Sequence, residues 1–281
     1  MKKAQETTMA VLIIALAIAI ILISAWGIYS KILKTKTDIE ACRLSVLGKS
    51  HTKPGGKSPL ELRCGRVYVR FFNDKVISTI NGRESKVKVP IKGVKKEKFD
   101  ELTDDIVFHV FAEELRNCWY KMGGGDYLPF DQQVMTSNSV CLVCSIIDFE
   151  KELKEQEISY EGFETYLNDT LIPGTSRDPG YEVTYADYLS RQIYEAQRVK
   201  PFIFKRVAVG EESALEKADE IVSNTTYYVV YQSLNPTLIE WNFIDDFRTM
   251  FGGTEKDEIY GAIWAIDASD IGLLDCDLLY N

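Results

Sequence analysis

The sequence predicts a mixed α+β fold, and three observations support this prediction. Short runs that alternate apolar and polar residues, as strands do, occur at residues 66–72 and 86–91. A longer segment at residues 98–121 instead repeats apolar residues every three or four positions, as an amphipathic helix does. Strands and helices follow one another without a regular βαβ rhythm, which disfavours a doubly wound α/β fold.

The first feature along the chain is an uninterrupted apolar run that begins at Met9 and ends at Tyr29. Its 21 residues carry no charge. A helix rises about 1.5 Å per residue, so this run matches the roughly 30 Å hydrocarbon core of a bilayer. Because a signal peptide has an apolar stretch of only about 7–15 residues, we predict an uncleaved transmembrane helix in contact with membrane lipid. An N-terminal tail and this transmembrane helix are predicted to span residues 1–30.

Two sets of features predict opposite orientations for that helix. Lysine and arginine residues are more numerous between Lys31 and Lys49 than before the run, which by the positive-inside rule favours a cytoplasmic main domain. An even number of cysteines, two glycosylation sequons and a short N-terminal tail favour a main domain outside the cytoplasm. We predict the second arrangement, a single-pass protein of the cell membrane with an extracellular domain.

Charge divides the rest of the chain. Residues 31–100 contain 18 Lys and Arg against 7 Asp and Glu, whereas residues 101–281 contain 13 against 34. We predict a basic stalk with a first α+β region at residues 31–170 and an acidic second α+β region at residues 171–281, with a single domain as the alternative. The basic part fits either contact with anionic lipid headgroups or an ordinary solvated face. A net charge of −9 argues against nucleic acid as a partner.

The first region is predicted to contain a helical stalk, a β-meander, a long helix and a strand. Residues 31–48 have a partly amphipathic pattern that extends the membrane helix, and the Gly- and Pro-rich residues 48–59 predict a loop. Asn81-Gly82 predicts a hairpin turn. Strands are predicted at residues 66–72, 75–80, 86–91 and 140–149, with the helix at residues 98–121 ending at Gly123.

The second region alternates shorter elements. Ser159 is predicted to cap a helix that ends at Leu167, and Thr184, three residues before Asp187, predicts another helix start. Asn235-Pro236 predicts the start of a helix that ends at residue 252. Strands are predicted at residues 202–209, 225–231, 259–266 and 271–279.

Six cysteines predict a disulfide framework in an oxidising compartment. Fifteen pairings are open, and sequence does not choose among them. One disulfide between Cys42 and Cys64 would join the stalk to the first strand, and Cys118 with Cys141 or Cys144 would join the long helix to the next strand. Buried free thiols, a zinc site and a redox pair at Cys141 and Cys144 are alternatives. The candidate disulfide residues are Cys42, Cys64, Cys118, Cys141, Cys144 and Cys276.

No motif predicts a catalytic residue, a cofactor or a bound metal. The two histidines, His51 and His109, have no nucleophile motif near them. Gly123-Gly124-Gly125 lacks the Lys-Ser/Thr ending of a phosphate-binding loop. The two Asn-x-Thr sequons predict N-glycosylation at Asn168 and Asn224.

Several motifs together resemble a group of archaeal proteins. A single N-terminal span precedes two early cysteines, a helix ends in Arg-Asn-Cys-Trp-Tyr-Lys-Met-Gly at residues 116–123, and Cys-Leu-Val-Cys follows at residues 141–144. Over residues 1–170 this pattern resembles uncharacterised membrane-anchored proteins of DPANN-type archaea, a resemblance that implies no particular activity. The start, Lys-Lys-Ala-Gln-Glu at residues 2–6, is similar to archaeal pilin-like signal segments. In those segments a Glu stands five residues after the cleavage site, whereas Glu6 would stand second.

We therefore predict an extracytoplasmic, membrane-anchored protein that acts in interaction or envelope structure rather than in catalysis. Its predicted partners are membrane lipid and other proteins of the envelope. One alternative is a membrane-tethered enzyme, either thiol-redox or hydrolytic. Another is a pilin-like filament subunit.

Overall fold

The computed structural model describes ten parts of the chain and shows a mixed α+β fold, as predicted. The described residues are 38–48, 64–91, 93–125, 139–172, 183–190, 202–209, 212–234, 261–274, 276 and 278–280, with residues 93–125 including the one long helix. The predicted membrane segment between Met9 and Tyr29 and the predicted helix at residues 235–252 lie outside these ranges. No helix within the described ranges combines the length and apolarity that a bilayer crossing requires.

Helices and strands are numbered here in chain order. The helices are α1 (residues 38–48), α2 (Asp104–Lys121), α3 (Lys151–Lys154), α4 (Phe163–Asp169) and α5 (Tyr185–Ser190), and 3₁₀ helices span Gly123–Gly125 and Ala268–Leu274. The strands are β1 (Val67–Phe71), β2 (Val76–Ile80), β3 (Arg83–Lys86), β4 (Val89–Ile91), β5 (Val94–Lys96), β6 (Ser139–Phe149), β7 (Ser159–Glu161), β8 (Phe202–Val209), β9 (Glu212–Ala218), β10 (Glu220–Val222), β11 (Tyr227–Leu234), β12 (Gly261–Asp267) and β13 (Leu278–Tyr280).

A nine-stranded mixed sheet organises the described chain. Eight strands follow the order β3-β2-β1-β6-β11-β12-β8-β9, and the ninth, β13, pairs with β6. The parallel pairs are β1 with β6, β8 with β12, and β13 with β6. The long strand β6 pairs with β11 along one edge. Its other edge is shared, because β13 pairs with Val140 to Leu142 and β1 pairs with Ser145 to Phe149. Strands from both sequence-predicted regions thus lie in one sheet.

The main core lies between one face of this sheet and helix α2. Alternate residues of β1, namely Val67, Val69 and Phe71, point into it, as period-two patterning requires. Phe111 of α2 packs against Phe71 with ring centroids 6.3 Å apart. A second, smaller cluster on the opposite face includes Cys141, Val143, Val230 and Trp264 and packs beneath the 3₁₀ helix Ala268–Leu274.

The predicted third strand at residues 86–91 is wrong in its bounds. Asn81 and Gly82 both have positive φ, 50° and 75°, which is the geometry of a two-residue hairpin turn. The turn pairs Ile80 with Arg83, so β3 starts at once and ends at Lys86. The chain then leaves the sheet, and Val89 is fully buried in a separate hairpin formed by β4 and β5.

Helix α2 begins later than its sequence pattern predicts. Residues 98–103 are not helical, and the helix starts at Asp104 after Thr103. The Phe99 amide donates to the carbonyl of Asp74 at 3.0 Å, and its side chain is buried. This contact ties Phe99 to the turn between β1 and β2 and keeps it outside the helix, which local helix periodicity does not reveal.

Helix starts in the second half follow the sequence in one case and depart from it in another. The Thr184 hydroxyl oxygen accepts a hydrogen bond from the Asp187 amide at 3.1 Å, as predicted for α5. Ser159, predicted to cap a helix, lies in β7 instead. Helix α4 starts after Gly162, whose φ is 94°, and the Glu164 amide donates to Asp219 Oδ1 at 2.6 Å. The cap therefore comes from a residue 55 positions away.

The predicted strand at residues 271–279 is also wrong in most of its length. Residues Ala268–Leu274 form a 3₁₀ helix, and only Leu278–Tyr280 form a strand. The Ser269 amide and hydroxyl both donate to Asp267 Oδ1 at 2.8 Å. These two local hydrogen bonds fold the chain back directly after β12, because Asp side chains readily satisfy nearby backbone donors.

Candidate functional site

The six cysteines form three pairs at disulfide distance, and none is free. Cys42 in α1 pairs with Cys64, which lies three positions before the first residue of β1. Cys118 of α2 pairs with Cys144 of β6. Cys141 of β6 pairs with Cys276, which lies between the 3₁₀ helix and β13. The structure thus supports the disulfide prediction, including the proposed joining of the stalk to the first strand.

A β-bulge in β6 explains how the Cys141–Cys144 segment serves two disulfides. Along β11, Val229 pairs with Ser145 and Val230 with Val143, so Cys144 is the extra residue. An inserted residue re-aims its neighbours. Cys144 joins the main core beneath α2, and the adjacent Ser145 donates to Glu114 of α2. Two consecutive side chains therefore reach the same helix.

The two cysteines of the Cys-Leu-Val-Cys motif face opposite sides of the sheet. Cys144 lies in the main core, and Cys141 lies in the smaller cluster on the other side. Each has its own distant partner, with Cα atoms 5.6 Å apart in both bridges. This arrangement offers no facing pair for dithiol exchange. Within the described residues, no group of three or more His, Cys, Asp or Glu side chains is placed to hold a metal ion.

Helix α1 is held by the first disulfide, which joins it to the segment before β1, and by polar contacts with the end of α2. Cys42 and Val46 are fully buried. Tyr120 of α2 donates its hydroxyl hydrogen to Glu40 at 3.2 Å, and the Arg43 guanidinium lies 4.0 Å from the centre of the Tyr120 ring. A covalent bond, a hydrogen bond and a cation–π contact therefore fix α1 against the domain. The described part of the predicted stalk is an integral part of the fold.

A polar network connects the outer side of α2 to helices α4 and α5. Tyr185 donates to Glu113 Oε1 at 2.5 Å, and Arg116 forms an ion pair with Glu113 Oε2 at 2.5 Å. Burial, followed by the nearby Glu113 charge, raises the pKa of Tyr185 far above its usual value. The hydroxyl oxygen of Tyr166 in α4 lies 3.4 Å from Nδ1 of His109. These groups bind one another, which is the pattern of a structural network rather than of an exposed catalytic centre.

The chain has two histidines that could act as a catalytic base. The structure places one of them, His109, in this network. His109 is 7 % exposed. Burial lowers its pKa below the ordinary value of 6.5, and the opposing effect of the Glu113 charge does not compensate. The other histidine, His51, lies outside the described residues. The imidazole is therefore a buried neutral group packed between helices.

A second polar pair is buried between α2 and β6. Glu114 accepts the hydrogen bond from Ser145, and burial raises its pKa in spite of the nearby Lys121 charge. Burial likewise lowers the pKa of Lys121, against the influence of Glu114 and Asp38. Sequence gives no signal for these contacts, because Ser145 lies 31 positions from Glu114. In the network of Glu113, Arg116 and Tyr185, sequence spacing indicates only one contact. Glu113 and Arg116 stand three positions apart, the spacing at which opposite charges on a helix meet.

The remaining sequence-predicted sites fall at separate places on the surface. Asn168 is exposed at the end of α4, and Asn224 is exposed in the turn between β10 and β11. Gly123–Gly125 forms a 3₁₀ turn after α2 in which Gly123 and Gly124 have φ of 82° and 71°. This triple glycine ends the helix by adopting positive φ, as predicted.

Fold and site together define a disulfide-framed α+β domain with one long central helix. Comparison of the chain with protein-family models, curated proteins and solved structures finds no match.

Buried tyrosines of the core provide a test of which polar contacts stabilise the domain. The Tyr231 hydroxyl has no hydrogen-bond partner among the described residues, whereas the Tyr185 hydroxyl binds a carboxylate. We expect Tyr231→Phe to raise the free energy of unfolding by about 1 kcal/mol, because a buried polar group without a partner is removed. The matched Tyr185→Phe should lower it by about 1.5–3 kcal/mol, the worth of a hydrogen bond to a charged group.

The measurement is urea unfolding of the full chain in mild detergent, followed by circular dichroism. A Tyr231→Phe variant less stable than wild type would show that this hydroxyl has a partner. Equal effects of the two substitutions would contradict the structural role assigned to the Glu113 network.

The buried His109 predicts a pH dependence of stability. The unfolded chain takes up a proton near the ordinary pKa of 6.5, whereas the folded chain does so only at lower pH. The contribution of the neutral His109 to the free energy of unfolding is therefore fully present above pH 6.5. It is lost as the pH falls below that value, by at most about 1.4 kcal/mol per pH unit. We expect His109→Gln to flatten the stability profile between about pH 5.5 and 7.5.

The matched control is His51→Gln, which replaces the other histidine of the chain. That variant should retain the wild-type slope. If His51→Gln rather than His109→Gln removed the slope, the assignment to the buried helix residue would be wrong.

Proposed function

We propose that this protein is a membrane-anchored, extracytoplasmic domain that acts in interaction or envelope structure and not in catalysis. The observation that carries the proposal is the pairing of all six cysteines in three bridges. Structural disulfides persist in oxidising compartments and are rare where glutathione and thioredoxin keep thiols reduced. The apolar run from Met9 to Tyr29 supplies the anchor.

The cysteine geometry supports a structural role for the bridges. They join α1 to the lead-in of β1, α2 to β6, and β6 to the C-terminal segment. Each therefore links elements that are already neighbours in the core. A redox enzyme needs a reactive, accessible thiol pair. Here Cys118, Cys141 and Cys144 are almost fully buried.

The polar groups of α2 point to the same role. Glu113 pairs with Arg116 within α2 and accepts from Tyr185 of α5, and His109 of α2 lies beside Tyr166 of α4. A hydrolytic site would instead require a base and a nucleophile that both face a substrate cavity. We infer that α2, α4 and α5 form a scaffold that binds other molecules through its surface and not through an internal site.

The test is mass mapping of cysteines in freshly isolated membranes, alkylated before and after reduction. We expect three linked peptide pairs, Cys42–Cys64, Cys118–Cys144 and Cys141–Cys276, and alkylation only after reduction. Six cysteines that alkylate without reductant would overturn both the disulfides and the external orientation. A Cys141–Cys144 bond that forms and opens with redox state would instead favour the thiol-redox alternative.

Topology and processing are checked in the same membranes. Protease added to intact cells should digest the domain at exposed sites, whereas protection from protease until the membrane is permeabilised would contradict the proposed orientation. N-terminal sequencing should find the chain uncleaved at its start. A mature N-terminus at Gln5 would favour the pilin-like alternative.

A further inference from the structure

The two glycosylation sequons lie in different structural surroundings. The first, Asn168-Asp169-Thr170, occupies the last turn of α4. Asn168 Nδ2 donates to the Glu164 carbonyl at 2.9 Å, and the Thr170 amide donates to the Tyr166 carbonyl at 2.9 Å. The Thr170 carbonyl also accepts from the Tyr185 amide. Access to this sequon in an extended form therefore requires the end of α4 to unfold and its contact with α5 to break.

The second sequon, Asn224-Thr225-Thr226, lies in the turn between β10 and β11. Asn224 is exposed, and its Oδ1 accepts from the Thr225 hydroxyl at 3.1 Å. Among the residues that the structure describes, no acceptor holds the Asn224 Nδ2 atom. The amide nitrogen that would receive a sugar thus belongs to an exposed side chain of a surface turn.

The residues on either side hold this turn in place. Ser223 is fully buried, and its hydroxyl donates to the Leu153 carbonyl and accepts from the Ile158 amide, both at 2.8 Å. On the other side, Thr226 donates to Asp148 Oδ1 at 2.8 Å, and Lys154 Nζ lies 2.6 Å from the same oxygen. The Thr226 carbonyl also accepts from the Ala268 amide at 2.8 Å, and Lys154 Nζ lies 3.4 Å from the Thr226 hydroxyl oxygen. Release of the whole sequon therefore requires these contacts, the Thr226–Asp148 hydrogen bond and the Thr225–Val222 turn bond to open, whereas Asn224 itself is already exposed.

We propose that Asn224, and not Asn168, is an N-glycosylation site of this protein, and that the Thr226–Asp148 hydrogen bond limits its use in the folded chain. This inference rests on the proposed extracytoplasmic orientation, because sugar donors and acceptor sequons meet outside the cytoplasm. A sequon in a surface turn is the expected acceptor, whereas one in a helix is not.

The donor class is an oligosaccharide linked through phosphate to a membrane lipid. A bond forms between Asn224 Nδ2 and C1 of the first sugar as the bond between C1 and the phosphate oxygen breaks. The lipid phosphate leaves with that electron pair, and Nδ2 gives up one proton to solvent. No oxidation or reduction occurs, so no further reactant is needed.

The test is mass analysis of proteolytic peptides from the full-length protein isolated from its native membranes. We expect a sugar mass on the peptide that contains Asn224 and an unmodified peptide for Asn168. Asn224→Gln should remove the mass shift of the intact protein, and the matched Asn168→Gln should leave it unchanged. Occupancy of Asn168 at or above that of Asn224 would overturn the proposal.

Two further variants separate recognition from folding. Thr226→Val keeps the side-chain volume but lacks the hydroxyl, so the sugar should be lost while circular dichroism stays that of wild type. Asp148→Ala removes the carboxylate that holds the Thr226 hydroxyl and leaves the longer 3.4 Å contact with Lys154 Nζ, so the occupied fraction at Asn224 should rise. An unchanged fraction would show that transfer precedes folding and would overturn the limiting role of Asp148.

Failure of this inference is distinguishable from failure of the proposed function. Unmodified Asn224 together with three mapped disulfides and an externally digested domain would refute the glycosylation site alone. Unmodified Asn224 together with six free cysteines and a protected domain would refute both.

Discussion

Replacing Cys141 and Cys276 together by alanine is expected to cost about 3–5 kcal/mol of unfolding free energy, more than the loss of either other bridge. These residues are 135 positions apart, so their bond closes a far longer loop than the 22 positions between Cys42 and Cys64. A longer closed loop restricts the unfolded chain more strongly. Cys141 is also fully buried, so its truncation removes core packing.

The local loss of structure in the variant that lacks Cys141 and Cys276 should be concentrated at the C-terminal strand β13. Strand β13 has only three residues, and it is held to β6 beside the Cys141–Cys276 bridge. Hydrogen exchange should therefore speed up at Leu278–Tyr280, while the amides of β1 on the same edge of β6 stay protected. Denaturant unfolding of the full chain in detergent gives the free-energy change.

The matched control is the double variant Cys42→Ala with Cys64→Ala, for which the shorter loop predicts a loss of about 2–3 kcal/mol. Its increase in hydrogen exchange should appear in α1 rather than in β13. If the two double variants lost equal stability and exchanged at the same places, the loop-closure argument would be wrong.

Phe111→Ala is the second substitution with a large expected effect, a loss of about 3–5 kcal/mol. Phe111 is fully buried at the centre of an aromatic cluster. Its ring centroid lies 5.3 Å from that of Tyr227, 6.1 Å from Phe163 and 6.3 Å from Phe71. Truncation removes contacts to the sheet and to α4 at once, and rigid neighbours fill little of the cavity.

Two comparisons make this prediction specific to packing. Phe111→Leu retains most of the volume and should cost clearly less than the alanine variant. Leu44→Ala, at a side chain that is 66 % exposed, should change stability by less than about 0.5 kcal/mol. A Phe111→Ala variant as stable as Leu44→Ala would contradict the placement of α2 on the sheet.

Sequence patterns located most of the strands around which the core is built. The strands predicted at residues 66–72, 75–80 and 140–149 correspond to β1, β2 and β6. The Asn81-Gly82 turn was visible because its geometry depends on those two residues alone. Strand β10 was missed, because three residues are too few to show an alternating pattern and the strand is defined by its pairing with β7.

The candidate site was less predictable than the strands. Tyr185 and Glu113 are 72 positions apart, and no local pattern marks either as the partner of the other. The bulge at Cys144 was equally hidden, since it is defined by pairing with β11. Without the bulge, a period-two strand would give no reason for Cys144 and Ser145 to reach the same helix.

The sequence by itself determined that the chain is a mixed α+β protein with an apolar N-terminal run, a long amphipathic helix and cysteines suited to disulfides. These properties depend on residue type and on spacing of a few positions, which are present in the chain before it folds. Only the tertiary structure decided that Cys141 pairs with Cys276, that Asp219 caps α4, and that Thr226 is held by Asp148. Those contacts join residues 55 to 135 positions apart, and packing of the whole sheet and helix brings them together.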